Sequence, residues 1–122
     1  MYHSALQSGF TLIELLITIA LIAAIAAVVL PSMVSTRARA DEMTARAYGK
    51  QLLGYVTMWL ADDPRHEVAA LVPDCTAPQY VAQGAPTPPP RSVAACQVQQ
   101  VGTKGYLVRV TSVNGKVFDL NQ

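Results

Sequence analysis

Charge is scarce in this sequence: Asp, Glu, Lys and Arg make up 14% of its 122 residues, against about a quarter in ordinary soluble domains. The nine basic and eight acidic residues leave a net charge of +1, which gives no field to attract a polyanion and no support for a nucleic-acid site. Cysteine is limited to Cys75 and Cys96, and there are two histidines. No CxxC, HExxH or clustered His/Cys spacing occurs, so the reading includes no metal, no cofactor and no thiol-redox centre. Asp62, Asp63, His66 and Glu67 are the nearest approach to a cation site, and they read as a capped, solvated helix start. No serine or cysteine is arranged with a base as a nucleophile, so an enzyme is not expected.

What is abundant is apolar surface, and it is concentrated. Residues 10–31 contain one ionisable side chain, Glu14. As a helix, the run from Phe10 to Leu30 reaches about 31 Å at 1.5 Å per residue, the thickness of a bilayer's hydrocarbon core. A cleaved secretory signal has a shorter apolar region followed by a small-residue cleavage site. Here the pattern continues past Pro31 as helix, which favours a retained segment.

From Ser32 to Leu60 the pattern turns amphipathic. Ala45, Tyr48, Leu52, Tyr55, Val56 and Trp59 recur at steps of three and four and fall on one face, with Arg37, Arg39, Asp41, Glu42, Arg46 and Lys50 facing water. One long helix is expected from about residue 10 to about 61, bent or loosened at Pro31. Asp63-Pro64 suggests an N-cap and N1 proline opening a short helix through Leu71. Residues 72–91 read as loop, stiffened by the prolines between Pro86 and Pro90.

After Arg91 the period becomes two. Cys96 and Val98 alternate with glutamines, and Tyr106, Val108 and Val110 alternate with Leu107, Arg109 and Thr111. Gly102–Gly105 fits a first turn, and Asn114-Gly115 suggests a type I′ hairpin before a returning strand, Val117–Leu120. The expected fold class is α+β: a long N-terminal helix whose apolar stripe covers a small three-stranded antiparallel sheet that is too small to stand alone. The organisation expected is 1–9 as leader, 10–31 as the apolar half-helix, 32–62 as the amphipathic half and 63–122 as a globular head. In an exported head, Cys75 and Cys96 favour a disulfide; in a cytosolic chain they would be two reduced thiols.

The segment Gly9-Phe10-Thr11-Leu12-Ile13-Glu14-Leu15-Leu16 resembles the processing and assembly signature of type IV prepilins and pseudopilins. It combines a glycine junction, a following aromatic, a carboxylate and an uninterrupted apolar helix. The resemblance covers the leader, the apolar helix and Pro31; past about residue 40 it rests on architecture only. It implies a lollipop-shaped pilin and cleavage between Gly9 and Phe10 by a prepilin peptidase. Phe10 then becomes an N-methylated first residue. It also implies an inner-membrane precursor that is polymerised by the pilus assembly machinery into a homopolymeric helical filament on the cell surface. By position, Glu14 and the Phe10 amine of a neighbouring subunit would set the axial register. Pro31 would mark where the helix melts, over residues of about 23–31.

A major pilus subunit is favoured over a minor pilin or a type II secretion pseudopilin, because the head is small and no C-terminal calcium-loop pattern is evident. A single-pass, membrane-anchored binding domain that never polymerises is the rival from another class. One departure is that Met1–Gly9 carries no Lys or Arg, while Arg37 and Arg39 lie beyond the apolar run. On charge bias alone this would invert the membrane orientation.

Overall fold

The computed structural model describes residues 9–121; of the leader expected at residues 1–9, all but Gly9 lies outside them. The chain divides into two compact units between Thr36 and Arg37. A single helix, α1 (Leu12–Asp62), supplies all but the first residues of the N-terminal unit and the first element of the C-terminal one. In the C-terminal unit it is followed by a 3₁₀ turn (Val68–Ala70), a one-turn helix α2 (Pro78–Val81) and strands β1 (Val93–Val101), β2 (Gly105–Ser112) and β3 (Val117–Asn121). The strands form an antiparallel meander in the order β1-β2-β3.

In the N-terminal unit the helix passes Pro31 without a break. An interior proline removes one donor, here the one facing the Ala27 carbonyl, and crowds that carbonyl. The helical turns on either side suffice to carry the segment across that gap.

The C-terminal unit is held together by one cluster. Ala45, Tyr48, Leu52 and Val56 of α1 pack with Val98, Val108 and Val110 of the sheet. The stripe read from the sequence includes Tyr55 and Trp59, which are only partly buried. It also misses a member, Gly49, which is buried at the same spacing. A side chain there would meet Val110 Cγ2 at 2.8 Å and come closer still to Leu120 Cδ1. Ala45 and Gly49 are one turn apart, and their small size lets the helix approach the sheet this closely.

Three local expectations are corrected. No α-helix opens at Pro64. The Asp63 carboxylate instead accepts from the Arg65 backbone N–H at 2.9 Å and from its guanidinium, forming a turn, and only the 3₁₀ turn follows. Asp63 satisfies its own local turn, which removes the cap that a helix start would need.

The segment from 72 to 91 is not simply loop. The one-turn helix α2, begun by Pro78, buries Tyr80, whose hydroxyl donates to the Val72 carbonyl at 2.9 Å. Cys75, Ala77 and Ala85 join the same core. The Pro73 carbonyl accepts from Val98 N–H at 2.8 Å, so this segment also lies along the β1 edge.

The β2–β3 connection is not type I′, because Gly115 has φ 82° but Asn114 has a negative φ. Gly115 N–H donates to Ser112 C=O at 2.9 Å and Ser112 N–H to Lys116 C=O at 2.8 Å, the pattern of a type I turn followed by a left-handed glycine. The Asn114 side chain is used elsewhere: its amide donates to the Ala38 carbonyl at 3.0 Å. Lys116 pairs with Glu42 at 2.8 Å, so the loop is tied to α1 at two points.

The outward face of the sheet is polar. At its centre Arg109 and Asp119 sit opposite each other and form two bonds at 2.6 and 2.7 Å. These hold the Asp119 carboxyl below its ordinary range. Both groups are exposed, so solvent screening keeps their contribution small.

Cys75 and Cys96 are joined by a disulfide with Cα atoms 5.8 Å apart, linking the 72–91 segment to β1. Closing a loop of this length (21 residues) contributes about 3 kcal/mol in the chain-entropy picture. Replacing both cysteines with alanine should therefore lower unfolding stability by about that amount. Denaturant titration of the detergent-solubilised chain, followed by the fluorescence of its single tryptophan, Trp59, checks this. The same assay separates two neighbours on α1. Gly49→Val forces methyl groups into Val110 and Leu120 and should cost about 1–3 kcal/mol. Tyr48→Phe removes a buried hydroxyl that has no hydrogen-bond partner among the described residues and should leave stability unchanged or raised by up to about 1 kcal/mol.

Candidate functional site

The chemistry of the N-terminal unit begins with its exposed surface. Phe10 is 74% exposed, and Leu12, Ile13, Leu16, Ile17, Leu21 and Ile22 are likewise uncovered. An 18-residue window of this helix has a mean hydropathy of 2.8 with none of its residues buried. Length and composition suit a bilayer crossing, where every backbone group must be satisfied within the segment. The few hydroxyls obey the same rule. Thr18 donates to the Leu15 carbonyl at 2.7 Å and Ser32 to the Val29 carbonyl at 2.8 Å. None of these carries an unpaired polar atom into the apolar surroundings.

At the helix start, Thr11 and Glu14 form a reciprocal cap. Glu14 N–H donates to Thr11 Oγ1 at 3.3 Å. Glu14 Oε2 accepts from Thr11 N–H at 3.0 Å and from Thr11 Oγ1 at 2.8 Å. This is the capping-box arrangement, Thr at N-cap and Glu at N3, with a carboxylate at the positive end of the helix dipole. Read from the sequence, Glu14 stands out as an isolated charge. Thr11 suits a local cap by residue type, and the T-x-x-E spacing of Thr11-Leu-Ile-Glu14 adds what that leaves out, its pairing with Glu14.

The residues singled out from sequence fall into separate places. Gly9 and Phe10 are exposed and precede α1, directly before the Thr11–Glu14 cap. Pro31 lies within α1, and Cys75 and Cys96 are bonded in the C-terminal unit. His66 stacks on Trp59, with ring centroids 4.0 Å apart, and its Nδ1 lies 2.6 Å from the Trp59 carbonyl oxygen. That contact is structural and closes the end of α1. Among the described residues no group of three or more His, Cys, Asp or Glu side chains is placed to hold a metal ion.

The geometry thus defines an α+β chain with a membrane-length apolar segment whose only charge sits at its capped start. The prokaryotic N-terminal methylation motif matches residues 5–30. The chain is also 44% identical over 55 residues to the Type IV wide pilus major component PilA4 of Thermus thermophilus. That match covers 45% of this chain and 42% of the relative, so less than half the length of either is compared. No solved structure matches the chain. The motif and the relative together support a member of the type IV pilin family.

Proposed function

We propose that this protein is the structural subunit of a type IV pilus filament, and more specifically a major pilin. The observation that carries the proposal is the uncovered apolar helix with Glu14 as its single charge. A surface of this size requires either lipid or other copies of itself, and a subunit that moves from one to the other uses both. The relative's printed description as a major pilus component favours the major role.

In this reading the precursor is held in the inner membrane and a prepilin peptidase cuts between Gly9 and Phe10. Phe10 then becomes the methylated N-terminus, and the assembly machinery draws copies into a filament displayed on the cell surface. The exposure of Gly9 and Phe10 ahead of the helix supports access to that bond. Glu14 then meets the Phe10 ammonium of a neighbouring subunit and sets the axial register. Its Oε2 is engaged by Thr11, while Oε1 has no hydrogen-bond partner among the described residues and is available for that contact.

Shearing cells and identifying the dominant filament protein tests the reading directly; its absence from every filament would end it. Glu14→Gln separates charge from capping, because glutamine also serves at N3. Cleavage should proceed in this variant, and filament recovery should fall by about tenfold or more with the charge pair gone. Normal recovery would remove the register pair from the proposal. Once packed, the alanine-rich residues 23–31 next to Pro31 should lose regular helix, whereas unbroken helical density there in a filament map would refute the melting.

A further inference from the structure

The C-terminal unit carries two patches along α1 whose charges are in part outside every ion pair among the described residues, and their placement determines how one copy could meet another. The first is a shallow groove formed by Arg39, Met43, Arg46, Lys116 and Phe118 beside Glu42. Lys116 is committed, bonding to Glu42 at 2.8 Å with its ammonium 5.7 Å from the Phe118 ring centre. Arg39 and Arg46 are exposed and enter no ion pair among the described residues. Met43, 71% exposed, lies between them in sequence and leaves an apolar floor uncovered. The second patch lies near the far end of the helix. Asp62 is exposed and likewise outside every ion pair among the described residues, and Met58, one turn earlier, is 55% exposed.

Each patch therefore offers a methionine beside charge of one sign, and the signs are opposite. At about 100° per residue, Arg39, Arg46 and Lys50 lie roughly 100–140° to one side of the buried Ala45–Leu52–Val56 stripe. Met58 and Asp62 lie roughly 100–140° to the other side. Along the axis, Arg46 and Asp62 are separated by about 24 Å at 1.5 Å per residue. In a two-fold dimer these patches meet only with the helices antiparallel, an arrangement that copies drawn in one orientation from a membrane do not adopt. They can be satisfied head-to-tail, each copy giving its acid to one neighbour and receiving acid from the next, a contact that does not close.

We infer that the Arg39–Met43–Arg46 groove is the docking surface for the Met58–Asp62 segment of a second copy, in a parallel contact displaced by about 24 Å along α1. The inference rests on the filament reading and adds to it an interface between C-terminal units, separate from the Glu14 contact. Complementary charge here selects register and excludes wrong neighbours more than it adds affinity.

The experiment compares sheared filament recovery from cells making the full chain. Reversing both arginines (Arg39→Glu with Arg46→Glu) should lower recovery by about tenfold through like-charge contact with Asp62. Asp62→Arg alone should also lower it. Combining all three restores opposite signs and should return recovery to within about threefold of the unaltered protein. Arg91→Glu, an exposed reversal outside the groove, should have no effect. An intact Cys75–Cys96 bond on a non-reducing gel shows that each variant head has folded. Normal recovery from the arginine reversal overturns the contact while leaving the filament reading standing. Loss that Asp62→Arg does not rescue also overturns it, assigning the groove to another anion such as a lipid headgroup. Absence of filaments from the unaltered protein overturns the filament reading, and the contact with it.

Discussion

The structure depends on a surface that the chain makes no attempt to bury. Each of the leucines and isoleucines along the first half of α1 would gain about 1.5–3 kcal/mol on leaving water, and nothing among the described residues covers them. Their covering must come from outside. Other features of the segment follow from that requirement. Its hydroxyls bond back to carbonyls of the preceding turn, its backbone is helical throughout, and its one carboxylate is placed at the end of the run and not in its middle. A charge at membrane depth costs about 2.5–3.5 kcal/mol on insertion scales, so its position and partners are not free to vary.

The head solves a different problem with little material. A three-stranded sheet has one face to cover and two edges to protect. The amphipathic half of α1 covers the face, and it can lie close because Ala45 and Gly49 offer almost no side chain. The 72–91 segment lies along the β1 edge through Pro73 and is held there by the disulfide. One helix thus has two kinds of surface, and the change from the all-apolar half to the amphipathic half falls near the boundary between the two compact units.

Most of this is legible in the sequence wherever the signal is periodic. The long helix, the three strands and the sheet-facing stripe follow from spacing alone, and Asn114-Gly115 does mark a turn. Legibility fails where a residue has a stronger local option than the one its type suggests. Asp63 closes its own turn with Arg65 and does not start a helix. Asn114 gives its amide to Ala38 and leaves the left-handed position to Gly115. Tyr80 is buried from a stretch dominated by turn residues, because a one-turn helix has no periodicity to detect. Gly49 escapes notice because a stripe is recognised by large residues, whereas a close approach requires an absent side chain. At the N-terminus, Glu14 is exceptional by its charge, yet its cap with Thr11 shows only in the spacing of the two residues.

That cap changes how Glu14 can work. A free glutamate on an exposed helix would lose rotamer freedom whenever it met a cation, and that loss offsets much of the attraction. Thr11 holds one carboxylate oxygen through two hydrogen bonds, so the side chain is already ordered before any partner arrives. The remaining oxygen is left without a hydrogen-bond partner among the described residues, at the positive end of the helix dipole. A short polar residue at position 11 and a carboxylate three residues later therefore convert a costly charge into an oriented one. In the proposed filament, an oriented charge on an otherwise uniform apolar surface would distinguish one axial register from the next. Without it, leucine and isoleucine side chains would pack almost equally well after a slip of one turn.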